Sequence, residues 1–143
     1  MSHHDVVVIG TGLAGLTSAV RLAQQGARVL VLAKGVGATH LSAGTIDILG
    51  YAPERVERPG EALGRLADSH PYALVGAGGV AAAVDWFTDR VAEGPLAPYA
   101  YTGGLEENLL LPTAVGVARP SAVVPETMAV SYTHLTLPTI CSV

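Results

Sequence analysis

The hydrophobic pattern is clearest at the start of the chain. Val6-Val7-Val8-Ile9 is an unbroken β-branched run, the pattern of a strand buried on both faces. A glycine-rich turn follows, and beyond it Leu16, Val20 and Ala23 recur at helical spacing. Gly26 stands where a left-handed helix terminator belongs. Arg28-Val29-Leu30-Val31-Leu32 then reads as a second buried strand. A right-handed crossover sets residues 28–32 parallel to the first strand, with a helix over residues 13–25 packed across the pair. This is a βαβ unit.

Further along, the pattern is broken more often. Residues 34–50 form a glycine- and threonine-punctuated loop with one short apolar stretch, Ile46-Asp47-Ile48-Leu49. The charge cluster in 53–59 reads as a solvated connector. Pro59 is placed to precede a short helix over 61–68, which His70-Pro71 would stop. A clearer helix is predicted over 79–92, where Val80, Val84, Phe87 and Val91 share one face and Pro95 and Pro98 end the run. After Tyr99 and Tyr101, read as strand residues, short apolar runs alternate with proline. Leu109 to 111, Ala114 to 117 and Val123-Val124 suit short strands of an inserted or capping region. Residues 131–143 contain neither Gly nor Ala, in a chain rich in both. Ser131-Tyr132-Thr133-His134-Leu135-Thr136-Leu137-Pro138-Thr139 resembles the translated read-through of a sequencing adapter, so native sequence is expected to end near residue 130.

Composition narrows the function classes. Half of the 143 residues are hydrophobic and only 14% are charged, the reverse of a disordered chain. A net charge of −4 leaves no electrostatic footprint for nucleic acid. No run of about 18 apolar residues occurs, because glycines interrupt the stretch 73–84. The start of the chain lacks a secretory pattern. Cys141 is the single cysteine, so no internal disulfide framework or cysteine-based metal cluster forms, and a reducing cytoplasmic setting is expected. No paired His, Cys, Asp and Glu spacing suggests a metal site. His3, His4, His40, His70 and His134 read as loop or terminal groups, with His40 the one considered for a flavin or substrate contact. Ser42 lacks the surroundings of a nucleophile elbow. No catalytic residue is assigned.

Gly10-Thr11-Gly12-Leu13-Ala14-Gly15 fits G-x-G-x-x-G in its proper setting, after a buried strand and at the opening of a helix. Gly10 permits the tight turn, Gly12 lets a diphosphate approach the backbone, and Gly15 allows close packing of helix on strand. The helix start, including Leu13 and Ala14, offers free N–H groups to phosphates. This points to a dinucleotide, and among flavins to FAD. No acid lies between Asp5 and Asp47, which counts against NAD, and Lys34 at the end of the second strand leaves NADP open. Arg119 is a candidate partner for a substrate phosphate.

With these residues in view, the stretch from Asp5 to Lys34 resembles the flavoproteins of the succinate dehydrogenase and fumarate reductase group. Thr39-His40-Leu41-Ser42-Ala43-Gly44-Thr45-Ile46-Asp47, His70-Pro71-Tyr72 and Leu111-Pro112-Thr113-Ala114 narrow the likeness. Pro120, Pro125-Glu126 and Met128 extend it. Together they resemble the B-subunit family of anaerobic glycerol-3-phosphate dehydrogenases, over the N-terminal portion of that longer chain. The resemblance implies an α/β fold, a truncated Rossmann-like parallel sheet of a flavin-binding domain spanning residues 1–130. It implies a flavin enzyme oxidising sn-glycerol 3-phosphate to dihydroxyacetone phosphate and passing electrons to quinone in anaerobic respiration. Its partners would be a sister catalytic flavoprotein subunit and an iron–sulfur membrane-anchor subunit, with the chain peripheral on the inner face of the membrane. FMN is the flavin usually given to that family. Thr39, Ser42, Ala43 and Gly44 would pass near the flavin ring. A non-catalytic nucleotide-binding scaffold and an NADP-binding reductase domain remain alternatives.

Overall fold

The structure, a computed structural model, describes residues 3–129. The expected non-native tail at 131–143 lies outside the described residues. The chain divides into two compact units, one up to Gly44 and one from Thr45 onward.

The first unit is a βαβ element. Strands β1 (Val6–Ile9) and β2 (Val29–Leu32) pair in parallel, Val6 against Val29 through Ile9 against Leu32. Between them runs α1 (Leu13–Gln24). The helix stops where the sequence says it should. Gly26 has φ +88°, its N–H reaches Ala23 O at 3.0 Å, and Ala27 N–H reaches Leu22 O at 3.1 Å. These are the two bonds of a Schellman terminator. At the opposite end of the sheet from the glycine turn, the Asp5 carboxylate grips Arg28 from both sides, accepting from the backbone N–H at 2.8 Å, Nε at 3.1 Å and Nη2 at 3.0 Å. This holds the Asp5 carboxyl below the usual carboxylate range. His3 Nδ1 lies 3.2 Å from Arg28 Nη2.

Two expectations for this unit need correction. The apolar residues that recur at helical spacing in α1, Leu16, Val20 and Ala23, are exposed, and the inward side carries the buried Ala19 and the half-buried Leu22. The helix approaches the strands through its small residues, since the Gly15 position sits beside the Gly10 carbonyl and Val8. Leu13, Leu16 and Val20 are turned outward. Nor is β1 covered on both faces. Val6 and Val8 are half-buried, while Val7 is exposed and Ile9 is 85% exposed.

The second unit buries more. Helix α2 (Pro59–Leu63) takes Pro59 as its first residue, where a missing N–H costs nothing, and ends before the expected 68. His70 does not stop a helix; it starts one. Its Nδ1 accepts the Tyr72 N–H at 3.1 Å and caps α3 (Pro71–Val75). Helix α4 (Ala77–Ala92) begins two residues earlier than its apolar pattern. Val80, Val84 and Val91 are buried as spaced, and Phe87 meets Tyr101 edge-on at 5.3 Å. Tyr99 lies in a 3-10 turn, Gly94–Tyr99, rather than a strand.

Strands β3 (Tyr101–Gly103), β4 (Leu109–Pro112), β5 (Ala118–Ser121) and β6 (Val123–Pro125) complete the unit. Antiparallel pairs form between β3 and β6 and between β4 and β5. Ala114 to 117, expected as a strand, is instead the exposed tip joining β4 to β5. Gly116 at φ +78° makes the bend, and Thr113 Oγ1 donates to Val117 O at 2.8 Å. Ala122, Val123 and Val124 are 0% exposed, and the first two pack with Val84, Ile46 and Tyr101. Leu49, Leu63 and Val80 form a second cluster. Asn108 ties its edge, donating to Leu49 O at 2.9 Å and Val56 O at 2.8 Å.

Candidate functional site

Every cofactor contact expected from the sequence falls in the first unit. The three glycines of the turn differ in a way that matches their separate demands. Gly10 has φ +107°, a backbone state that side-chain-bearing residues rarely adopt, as a sharp strand-to-helix turn requires. Gly12 has ordinary extended dihedrals, φ −71° and ψ 171°. A Cβ there would meet nothing within 4 Å, so the backbone borders open space. A Cβ at Gly15 would collide with the Gly10 carbonyl, so the close approach of α1 needs glycine.

Open space at Gly12 lies at the start of α1. That helix start has no side-chain cap and no acid in its first turn. The N–H groups of Leu13, Ala14 and Gly15 precede the first intrahelical bond, from Leu16 N–H to Gly12 O at 3.0 Å. The local field is positive, since the helix dipole ends here. Room for an oxygen, N–H donors without a cap among the described residues and no acid in the first turn of α1 fit a diphosphate.

The loop after β2 reaches the turn through residues that carry no motif of their own. Thr11 Oγ1 donates to Gly35 O at 3.1 Å. A Cβ at Gly37 would strike the Thr11 carbonyl and come within 2.6 Å of Gly12 N. Glycine at 37 therefore allows this loop to lie against the turn; its Gly-Val-Gly context was the available signal. Lys34 is exposed beside this contact.

The remaining candidates lie in a loop bonded to itself. His40, in the 3-10 turn Ala38–Leu41, places Nδ1 2.7 Å from Gly37 O; because a carbonyl only accepts, the proton sits on Nδ1. Ser42 donates to Thr39 O at 2.8 Å and accepts Gly44 N–H at 3.2 Å. Gly44 has φ +79°. Thr39, Ser42 and Ala43 are exposed. Arg119, weighed as a phosphate ligand, belongs to the second unit, where Thr45 and Asp47 occupy its guanidinium. No cluster of potential metal ligands occurs among the described residues.

Residues 5–143 match the family model described as FAD binding domain. The chain belongs to the FAD-binding domain family. Its α/β character and parallel strand pair accord with that membership. This FAD-binding chain is similar to curated proteins named as B subunits of anaerobic glycerol-3-phosphate dehydrogenase. The protein of Pectobacterium carotovorum is 48% identical over 84 residues, 55% of this chain and 20% of the relative. That of Vibrio cholerae is 41% identical over 92 residues, 61% of this chain and 21% of the relative. That of Actinobacillus succinogenes is 37% identical over 136 residues, 85% of this chain and 32% of the relative. The chain thus spans about a fifth to a third of the length of these relatives. No solved structure matches it. Among the described residues, no helix is long and apolar enough to cross a membrane.

Proposed function

We propose that this chain is the flavin-holding N-terminal part of a B-type subunit of an anaerobic glycerol-3-phosphate dehydrogenase, a truncated Rossmann-like domain that takes FAD rather than FMN. In this reading the full-length protein takes part in oxidising sn-glycerol 3-phosphate to dihydroxyacetone phosphate. Electrons leave toward quinone through a sister flavoprotein subunit and an iron–sulfur anchor at the cytoplasmic face of the membrane. The observation that carries the cofactor assignment is the open space at Gly12 against the uncapped start of α1. FMN has a single phosphate; a turn of this kind suits the diphosphate of FAD.

The bound flavin would supply two-electron redox chemistry. The chain supplies position and electrostatics. Gly12 keeps its side of the cradle clear, and the N–H groups of Leu13, Ala14 and Gly15 face the diphosphate charge. Thr11 and Gly37 hold the loop after β2 against the turn, and Ser42, Ala43 and Gly44 border the ring with small groups. Lys34 offers positive charge at the end of β2.

The decisive experiment is Gly12→Val in the full-length protein. Two charge-assisted hydrogen bonds, each contributing roughly 1.5–3 kcal/mol, are lost, so flavin affinity falls by about a hundredfold or more. Circular dichroism should show most of the fold in place, because Gly12 has ordinary dihedrals and a Cβ there meets no protein atom. Chromatography of the flavin released on denaturation distinguishes FAD from FMN. A variant that retains stoichiometric flavin refutes the site.

A further inference from the structure

A polar network in the second unit holds the three residues that directly follow Gly44. Arg119 Nη2 donates to Thr45 Oγ1 at 2.7 Å, and Nη1 lies 3.5 Å from Asp47 Oδ2. Ser121 donates to Asp47 Oδ1. Between these side-chain links, Ile46 and Val123 exchange backbone hydrogen bonds of 2.8 and 3.1 Å. Residues 45 and 47 are thus held through side chains and residue 46 through its backbone, by partners in β5 and β6.

The network is poorly made as a source of stability. Arg119 and Asp47 side chains are each 39% exposed, where an ion pair contributes little. Arg119 Nε is buried with no hydrogen-bond partner among the described residues, which is unfavourable. The backbone bonds of Ile46 already attach the segment. What Arg119 and Ser121 add is a fixed conformation at positions 45 and 47. Arginine suits this task because its planar fork reaches two acceptors at once, which a lysine ammonium does with less geometric control.

We propose that Arg119 and Ser121 are positioning residues for flavin binding. By fixing 45–47 they restrict, through the chain, the conformations open to Ser42, Ala43 and Gly44. This rests on the reading of that loop as flavin-facing. The loop needs an anchor because its side-chain bonds span only two or three residues, from Ser42 to Thr39, from Gly44 to Ser42 and from His40 to Gly37. Gly44, at φ +79°, is also free to leave its conformation. A loop that wanders in the free protein must be ordered when ligand binds, and affinity falls accordingly.

The test uses the full-length protein carrying Arg119→Met, Arg119→Lys, Ser121→Ala or Asp47→Asn, with Gly12→Val as control. FAD dissociation constants come from fluorescence quenching, the ring environment from the visible spectrum, and fold from circular dichroism. Arg119→Met is expected to weaken FAD about tenfold, equivalent to about 1.4 kcal/mol, and to shift the flavin absorption bands with the fold intact. Arg119→Lys recovers part of the affinity and of the spectrum, which a general loss of packing would not allow. Asp47→Asn keeps an acceptor for Ser121 and decides the matter if Arg119→Met fails to fold. Wild-type affinity and spectrum in the Arg119, Ser121 and Asp47 variants, alongside flavin loss in Gly12→Val, overturn the positioning role alone. So does unfolding of both Arg119→Met and Asp47→Asn, which makes the network structural. Retained flavin in Gly12→Val overturns the flavin reading itself.

Discussion

Residues up to Gly44 contain all the candidate flavin contacts but, among the described residues, only Ala19 of the buried apolar side chains. Residues from Thr45 onward contain the buried Leu49, Leu63, Val80, Val84, Val91 and Leu111 and the fully enclosed Ala122, Val123 and Val124. The contrast follows from what each unit is built to do. In the proposed reading the first unit is a backbone cradle that has to stay open, built of glycines, N–H groups and exposed loops, none of which contributes to a core. The second unit gathers its apolar residues behind short strands and one long helix. A first unit with so little burial draws stability from whatever covers or fills it, and a ligand bound only by the folded form contributes in proportion to ln(1 + [L]/Kd).

The largest test of this contrast is a charge placed in each unit. Val123→Asp buries an unpaired carboxylate and should destabilise the second unit by about 4 kcal/mol or more. Ile9→Asp, on the open face of β1, should change stability by less than about 0.5 kcal/mol. Trp86 is the single tryptophan, so its fluorescence during denaturant unfolding follows the second unit. Amide hydrogen exchange follows the first. A severe effect of Ile9→Asp would show that this face is covered in solution.

A smaller effect separates two glycines of one turn. Gly15→Ala drives a Cβ into the Gly10 carbonyl and should destabilise the first unit by roughly 1–3 kcal/mol, as overpacking does. Gly12→Ala should leave exchange rates in the flavin-free protein unchanged, since nothing stands near the added methyl. Equal losses from both would remove the distinction between packing and binding glycines.

The smallest effects lie at the two ends of the pH scale. Asp5 ionises more readily than usual because of Arg28, so its contribution is present above pH about 4 and disappears as pH falls through the lowered folded value. Burial pushes the Tyr101 hydroxyl above its usual value, so ionisation favours the unfolded form and the second unit weakens above pH about 10. Asp5→Asn should therefore flatten the acid limb measured by exchange. Tyr101→Phe should flatten the alkaline limb measured by Trp86 fluorescence. An acid limb unaffected by Asp5→Asn would assign that transition to other carboxylates.

The parts legible in the sequence were those with local causes. Four consecutive β-branched residues, a glycine turn and Gly26 specify the βαβ unit within 30 residues, and the spacing of Val80, Val84 and Val91 identifies the buried side of α4. Periodicity misled for α1 because the inward side is marked by Gly15, Ala19 and Leu22, two of them small, while Leu16 and Val20 repeat at the same spacing on the exposed side. Proline misled twice: Pro59 and Pro71 open helices that were placed after one and stopped by the other. β5, with Arg119 and Pro120 inside it, carries no strand pattern at all; its pairing with β4 across a glycine bend creates it. The role of Gly37 depends on a neighbour 26 positions away; Gly35-Val36-Gly37 marks a flexible stretch, but no local pattern records which residue it meets.

The order of the strands also sets a timetable. Among the described residues, the pairing of the first unit is available once residue 32 has been made, whereas β3 and residue 46 wait for β6, at Val123–Pro125, before they have a partner. At about 5–20 residues per second, that interval lasts roughly 5–20 s of synthesis. Throughout it, the cluster of Val84 with Ala122 and Val123 cannot assemble, whereas the Leu49, Leu63 and Val80 cluster can as soon as Val80 has been made. The pairings of the two units therefore become possible in sequence rather than together, the near one first and the one that encloses Val123 last.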